Sequence, residues 1–148
     1  MLSQKARYAI RAMQHLADRS GQGPVPLGEI AAAQNIPAKF FANILSGLKR
    51  SGVVASQRGR DGGYWLAALP EHITYGILVR LMRGSVALVP CASRNSHETC
   101  LNCLAEDQCR LRALMLQVRD QTAELLDAIR LSDPIEPIPA FDNEPVDP

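Results

Sequence analysis

Apolar residues recur at helical spacing in five stretches of the chain, each bounded by residues that stop a helix. Residues 4–19 carry Ala6, Ala9/Ile10, Met13 and Leu16/Ala17 on one face. Ser3 can cap this helix and Gly21-Gln22-Gly23-Pro24 ends it. A short helix from Leu27 to Ala33 turns Leu27, Ile30 and Ala31 inward, and Asn35-Ile36-Pro37 breaks it. Pro37 suits the first position of the next helix, over 37–50. That helix has Phe40/Phe41, Ile44/Leu45 and Leu48 on its apolar side, and Lys39, Asn43, Ser46, Lys49 and Arg50 mostly on the other. Thr74 can cap a fourth helix over 75–83, with Ile77, Leu78, Leu81 and Met82 apolar and Gly84 as its stop. The fifth and longest is expected from about Cys109 to Leu131.

Two short runs, 53–57 and 64–67, read as strands instead. Between them lies Arg58-Gly59-Arg60-Asp61-Gly62-Gly63, where three glycines allow a tight hairpin tip with positive φ angles. Helix, short helix, break, helix, then a hairpin with a basic tip is the order of a winged helix-turn-helix. The predicted fold class is therefore mainly α, with a small β-hairpin wing. Three regions are expected: a winged helix-turn-helix over 1–70, a helix, cysteine-rich loop and long helix over 71–131, and a disordered tail over 132–148. That tail holds five prolines, five acidic residues and no basic one.

Net charge is +1 overall but unevenly distributed. Residues 1–70 hold nine Lys/Arg against three acids, a net of +6. A basic front half points to a polyanion partner, although a charged solvated face is the plainer account. The second helix of the pair must enter the major groove, so donors are needed on its outer face near its start. Lys39 and Asn43 stand there. Asparagine can bond adenine in two places, and lysine suits guanine or a phosphate. Lys49 and Arg50 fall late in the helix and suit the DNA backbone. Arg58 and Arg60 on a narrow ribbon suit a minor groove. Gln4, Lys5 and Arg7 open the first helix and can meet phosphates, which position a protein without reading sequence.

All four cysteines lie within residues 91–109: Cys91, Cys100, Cys103 and Cys109. No targeting segment and no apolar run of about 20 residues is seen, so no membrane is expected and a cytoplasmic location is. Clustered thiols in a reducing compartment more often bind metal or do redox work than form disulfides. Thiolates suit zinc or iron–sulfur clusters. Cys100-x-x-Cys103 is one chelating pair, whereas four-thiolate zinc sites usually have two. Structural zinc, thiols without a cofactor and an iron–sulfur cluster remain alternatives on spacing alone. A thiol redox enzyme fits least, because the pair lies in no βαβ setting. His97 reads as an exposed loop histidine.

MLSQKARYAIRAMQHLA, PVPLGEIAAAQNIPAKFFANILSGLKRSGVV, RGRDGGYWLA and the cysteine loop together resemble the bacterial winged-helix regulators of the Rrf-two family, from Met1 to about Leu131. The resemblance implies a homodimer whose long C-terminal helices cross, bound to a pseudo-palindromic DNA operator, most often as a repressor. It also implies a [2Fe–2S] or [4Fe–4S] cluster on Cys91, Cys103 and Cys109, with Cys100 as an additional thiol and candidate fourth ligand. The signal would be iron–sulfur status, an oxidant or nitric oxide. Some members place a histidine three residues after the last cysteine, where this chain has Arg112. Others take a carboxylate from the partner's first helix, where Arg7 and Tyr8 stand here. Both departures favour an all-cysteine [4Fe–4S] site. Ala42 stands where some members carry an operator-tuning glutamate.

Overall fold

A computed structural model describes residues 2–138. Five α-helices and one two-stranded antiparallel hairpin follow in the order α1 (Gln4–Asp18), α2 (Leu27–Gln34), α3 (Ala38–Arg50), β1 (Val54–Gln57), β2 (Gly63–Leu66), α4 (Tyr75–Arg83) and α5 (Arg110–Ala128). The predicted mainly helical winged-helix class is the one observed. Ser3 Oγ accepts from Ala6 N at 3.1 Å and Thr74 Oγ1 from Ile77 N at 3.3 Å, so both expected N-caps form. Asn35 makes the sharp turn between α2 and α3, in the left-handed region at φ 52°.

One hydrophobic core unites the helix-turn-helix and the wing. Met13 and Leu16 of α1, Ile30 of α2, and Phe41, Ile44, Leu45 and Leu48 of α3 are all essentially solvent-free. The core does not stop at residue 70, since Ile73, Leu78 and Leu131 belong to it. Phe40 departs from the expected apolar side: Phe41 is buried, while Phe40 is 40% exposed. Phe40 lies on the edge of the apolar stripe, where its ring meets Tyr8 of α1 rather than the core. The apolar positions of α4 divide likewise, with Leu78 inward and Ile77 and Leu81 exposed.

The wing pairs Val54 with Leu66 and Gln57 with Gly63, leaving 58–62 as its tip. Of its three glycines only Gly59 has a positive φ, 115°. Gly63 serves closeness instead: a Cβ there would stand 2.4 Å from the Val25 carbonyl oxygen. That approach permits the paired Val25–Tyr64 backbone bonds, both 2.9 Å, which fasten the wing to the loop before α2.

The long helix ends at Ala128, three residues before its expected end. Tyr75 N donates to Ile129 O at 3.0 Å and Leu131 N to Ile73 O at 2.9 Å. Extended backbone lets Leu131 reach the core, which a continued helix would carry it past. Residues 134–138 have no regular secondary structure; the rest of the acidic tail, 139–148, lies outside the described residues. No described helix is long and apolar enough to cross a membrane.

Candidate DNA-reading face and cysteine site

All nine side chains predicted to meet DNA are exposed: Gln4, Lys5, Arg7, Lys39, Asn43, Lys49, Arg50, Arg58 and Arg60. The fold gathers some of them. Lys49 of α3 donates to Ser56 Oγ of β1 at 2.7 Å, tying the end of α3 to the wing. A groove of about 530 Å³ runs between them, with Lys49, Arg58 and Arg60 on its walls. Lys39 and Asn43 stand apart from that groove, near the start of α3. The N-terminal turns of α1 approach the same end of α3 through Tyr8, whose ring meets Phe40 edge-on at 5.8 Å between centroids. Gln4 Nε2 donates to Tyr8 Oη at 2.9 Å, so Gln4 also has a place inside the fold.

The four cysteines converge on one small cavity of about 20 Å³, shared with Glu106 and Arg112. Cys91 is buried in the turn Pro90–Ala92, and Cys109 is the N-cap of α5, its Sγ accepting from Arg112 N at 3.4 Å. Asn102 adopts left-handed backbone at φ 58° inside Cys100-x-x-Cys103, which reverses the chain between the two thiols. Hydrogen bonding of Cys100 with Cys91, then with Cys103, pushes its thiol up to about 11. Among the described residues, no three His, Cys, Asp or Glu side chains surround a single-ion position. The thiols are thus near one another around a cavity, yet not drawn onto one point. Four thiols around one cavity are the donor type that soft metal centres take.

Sequence reasoning missed what holds this loop. Arg112 Nε donates to Cys91 O at 3.1 Å and lies 3.2 Å from Glu106 Oε2. His97, expected to be a lone loop histidine, has Nε2 2.9 Å from Glu106 Oε1. Two turns along α5 from Arg112, Arg119 Nη1 donates to Ala92 O at 2.7 Å. Arg112 and Arg119, seven apart, therefore share one helix face, and the signal available in sequence was that spacing. Further along, Asp127 of α5 takes a two-pronged bond from Arg80 of α4, at 2.5 and 2.8 Å. The Arg80 guanidinium holds the Asp127 carboxyl below the ordinary carboxylate range. Gly76 leaves room for this pair, because a Cβ there would lie 1.8 Å from Asp127 Oδ1.

A helix-turn-helix followed by a basic wing defines a winged-helix transcription regulator. Comparison with known proteins agrees and narrows the class. The model of the Rrf2 family, described as an iron-dependent transcriptional regulator, matches residues 2–137. The chain belongs to that family. It is 38% identical over 136 residues to an rrf2-like HTH-type transcriptional regulator of Rhodobacter capsulatus, covering 90% of this chain and 91% of that one. It is 33% identical to the HTH-type transcriptional regulator IscR of Pectobacterium atrosepticum, covering 89% and 77%. The solved structure of CymR, the global cysteine regulator of B. subtilis, superposes with a TM-score of 0.74 at 32% identity, covering 90% of this chain and 94% of that one.

Proposed function

We propose that this protein is a dimeric DNA-binding repressor whose grip on a pseudo-palindromic operator is set by an iron–sulfur cluster held on Cys91, Cys100, Cys103 and Cys109. The observation that carries the reading is the meeting of all four thiols, and no other cysteine, around one cavity that α5 clamps from beneath. A cluster there supplies a centre that reacts with oxidants and nitric oxide. The chain's residues do the rest. The four sulfurs fix the loop. Arg112 and Arg119 transmit its position to α5 through the carbonyls of residues 91 and 92. Arg80 and Asp127 join α5 to α4, and α4 packs on α1 of the reading half.

The second copy is supported by α5 itself. None of its residues is buried, and Leu111, Leu114 and Leu125 are 61%, 52% and 61% exposed. A long helix with an uncovered apolar face needs a cover, and a twin helix supplies a self-complementary one. In such a dimer residues 1–70 read DNA, while 71–131 sense and dimerise. Asn43 and Lys39 contact bases; Lys49, Arg50, Gln4, Lys5 and Arg7 contact phosphates; Arg58 and Arg60 enter the minor groove. The two α3 helices must stand about 34 Å apart to meet successive major grooves, so a small shift in α5 crossing changes affinity. A coupling of about 1–3 kcal/mol, or roughly 5- to 150-fold in affinity, suffices.

A second reading keeps the repressor and dispenses with the cluster. The likeness to a cysteine regulator and the gathering of four free thiols around one cavity favour a sensor that works through its thiols. Iron and acid-labile sulfide content of protein isolated without oxygen separates the two. The proposal expects both, in stoichiometric amount and with visible absorption; colourless, iron-free protein that still binds its operator supports the thiol reading.

A further inference from the structure

The groove helix exposes one large aromatic side chain, and the fold holds it still. Phe40 lies in the first turn of α3, next to Lys39 and three residues before Asn43, a spacing that makes Phe40 and Asn43 neighbours on the helix surface. Its ring is 40% exposed yet not loose. Tyr8 meets it edge-on, the planes 80° apart. Tyr8 is held in turn by the bond from Gln4 and by the Arg11 guanidinium, 5.9 Å from the ring centroid. Arg11 is anchored through its Nε to Gln34 Oε1 at 3.1 Å. Side chains from α1 and α2 thus orient a ring that the core leaves uncovered.

Leaving apolar area in water costs free energy, and here nothing within the described fold recovers it. A partner of matching chemistry would. In the major groove the one apolar group on a base edge is the C5-methyl of thymine, a known contact for phenylalanine. Resting on the DNA-reading role of α3 given above, we propose that Phe40 is a further specificity-determining residue, beside Asn43 and Lys39. Its ring packs on the C5-methyl of a thymine neighbouring the adenine that Asn43 reads.

Uracil differs from thymine only by that methyl group, which gives a direct test. A duplex is selected from a random pool by the full-length wild-type protein, and its thymines are replaced by uracil one symmetric pair at a time. One replacement should lower wild-type affinity by about fourfold per half-site, the ratio for one buried methyl at ~0.8 kcal/mol. Phe40→Ala should bind the thymine duplex more weakly and be indifferent to uracil at that position. Phe40→Leu, with the same melting temperature, should keep part of the preference and exclude misfolding as the cause. Retention of the full thymine preference by Phe40→Ala overturns the proposal, as does wild-type indifference to every replacement. Failure of the DNA-reading role looks different: the wild type then selects no sequence, and Asn43→Ala changes nothing. If Asn43→Ala loses selectivity while Phe40→Ala does not, only the Phe40 assignment falls.

Discussion

The winged half and the cysteine-bearing half are built on opposite terms. From α1 to β2 the chain closes on itself, with Phe41, Met13, Ile30 and Leu48 sealed in one core and the wing fastened by backbone bonds to the loop before α2. From Gly84 onward it does not. No residue of α5 is buried and Leu101 in the cysteine loop is 92% exposed; burial there is confined to a few residues such as Val86, Ala92 and Leu131, and arginine bonds to carbonyls and carboxylates hold α5 to the loop and to α4. The contrast teaches where each half obtains its stability. The winged half carries most of its own; under the proposed function the cysteine-bearing half borrows from a second copy and from whatever its thiols hold. A switch is best placed where stability is borrowed, because removing the lender changes the structure there first.

The two halves should therefore respond differently to damage. Phe41→Ala should cost about 3–5 kcal/mol and shift or abolish the cooperative unfolding transition seen by circular dichroism. Leu114→Glu, on the uncovered face of α5, should leave the winged half folded and turn the dimer into monomer in sedimentation velocity, with loss of tight operator binding. Cys103→Ala should remove the visible spectrum while the winged part melts as before; a retained spectrum would show that this thiol is not a ligand. Asn43→Ala should cost about 1–3 kcal/mol at the selected operator and relax preference at one base pair, with no change in spectrum or oligomeric state.

The smallest effect concerns the Arg80–Asp127 clamp. Asp127 is held below its unfolded pKa, so its contribution is complete above that unfolded value and is lost as pH falls through the lower folded one. Asp127→Asn should therefore lower stability at neutral pH by no more than about 1 kcal/mol, since the pair is partly exposed, and make little difference in strong acid. Parallel melts of the two proteins from pH 7 to pH 2 test this, and a gap that widens in acid would contradict it.

The winged half was legible because its signals are local. Ser3 and Thr74 cap the helices they precede, Asn35-Ile36-Pro37 separates α2 from α3, and the glycine-rich wing tip marks a hairpin. The misreadings arose where distant parts decide. Phe40 and Phe41 are the same residue type, and only the packing of α1 against α3 reveals which one faces outward. Ile129 and Leu131 fit a helix as well as a strand until Ile73 and Tyr75 offer their backbone groups. In the cysteine-bearing half, four clustered thiols were plain to see, but not the face of α5 that fixes them. Arg112 and Arg119 look like ordinary surface charges until the carbonyls of residues 91 and 92 come to lie against them.

Operator affinity of one preparation, isolated without oxygen and measured before and after chelation of its iron, tests most directly whether the cysteine site governs the reading heads. The account predicts a change of roughly 5- to 150-fold between the two forms, absent in Cys103→Ala. Equal affinity and equal selectivity in both forms would contradict it.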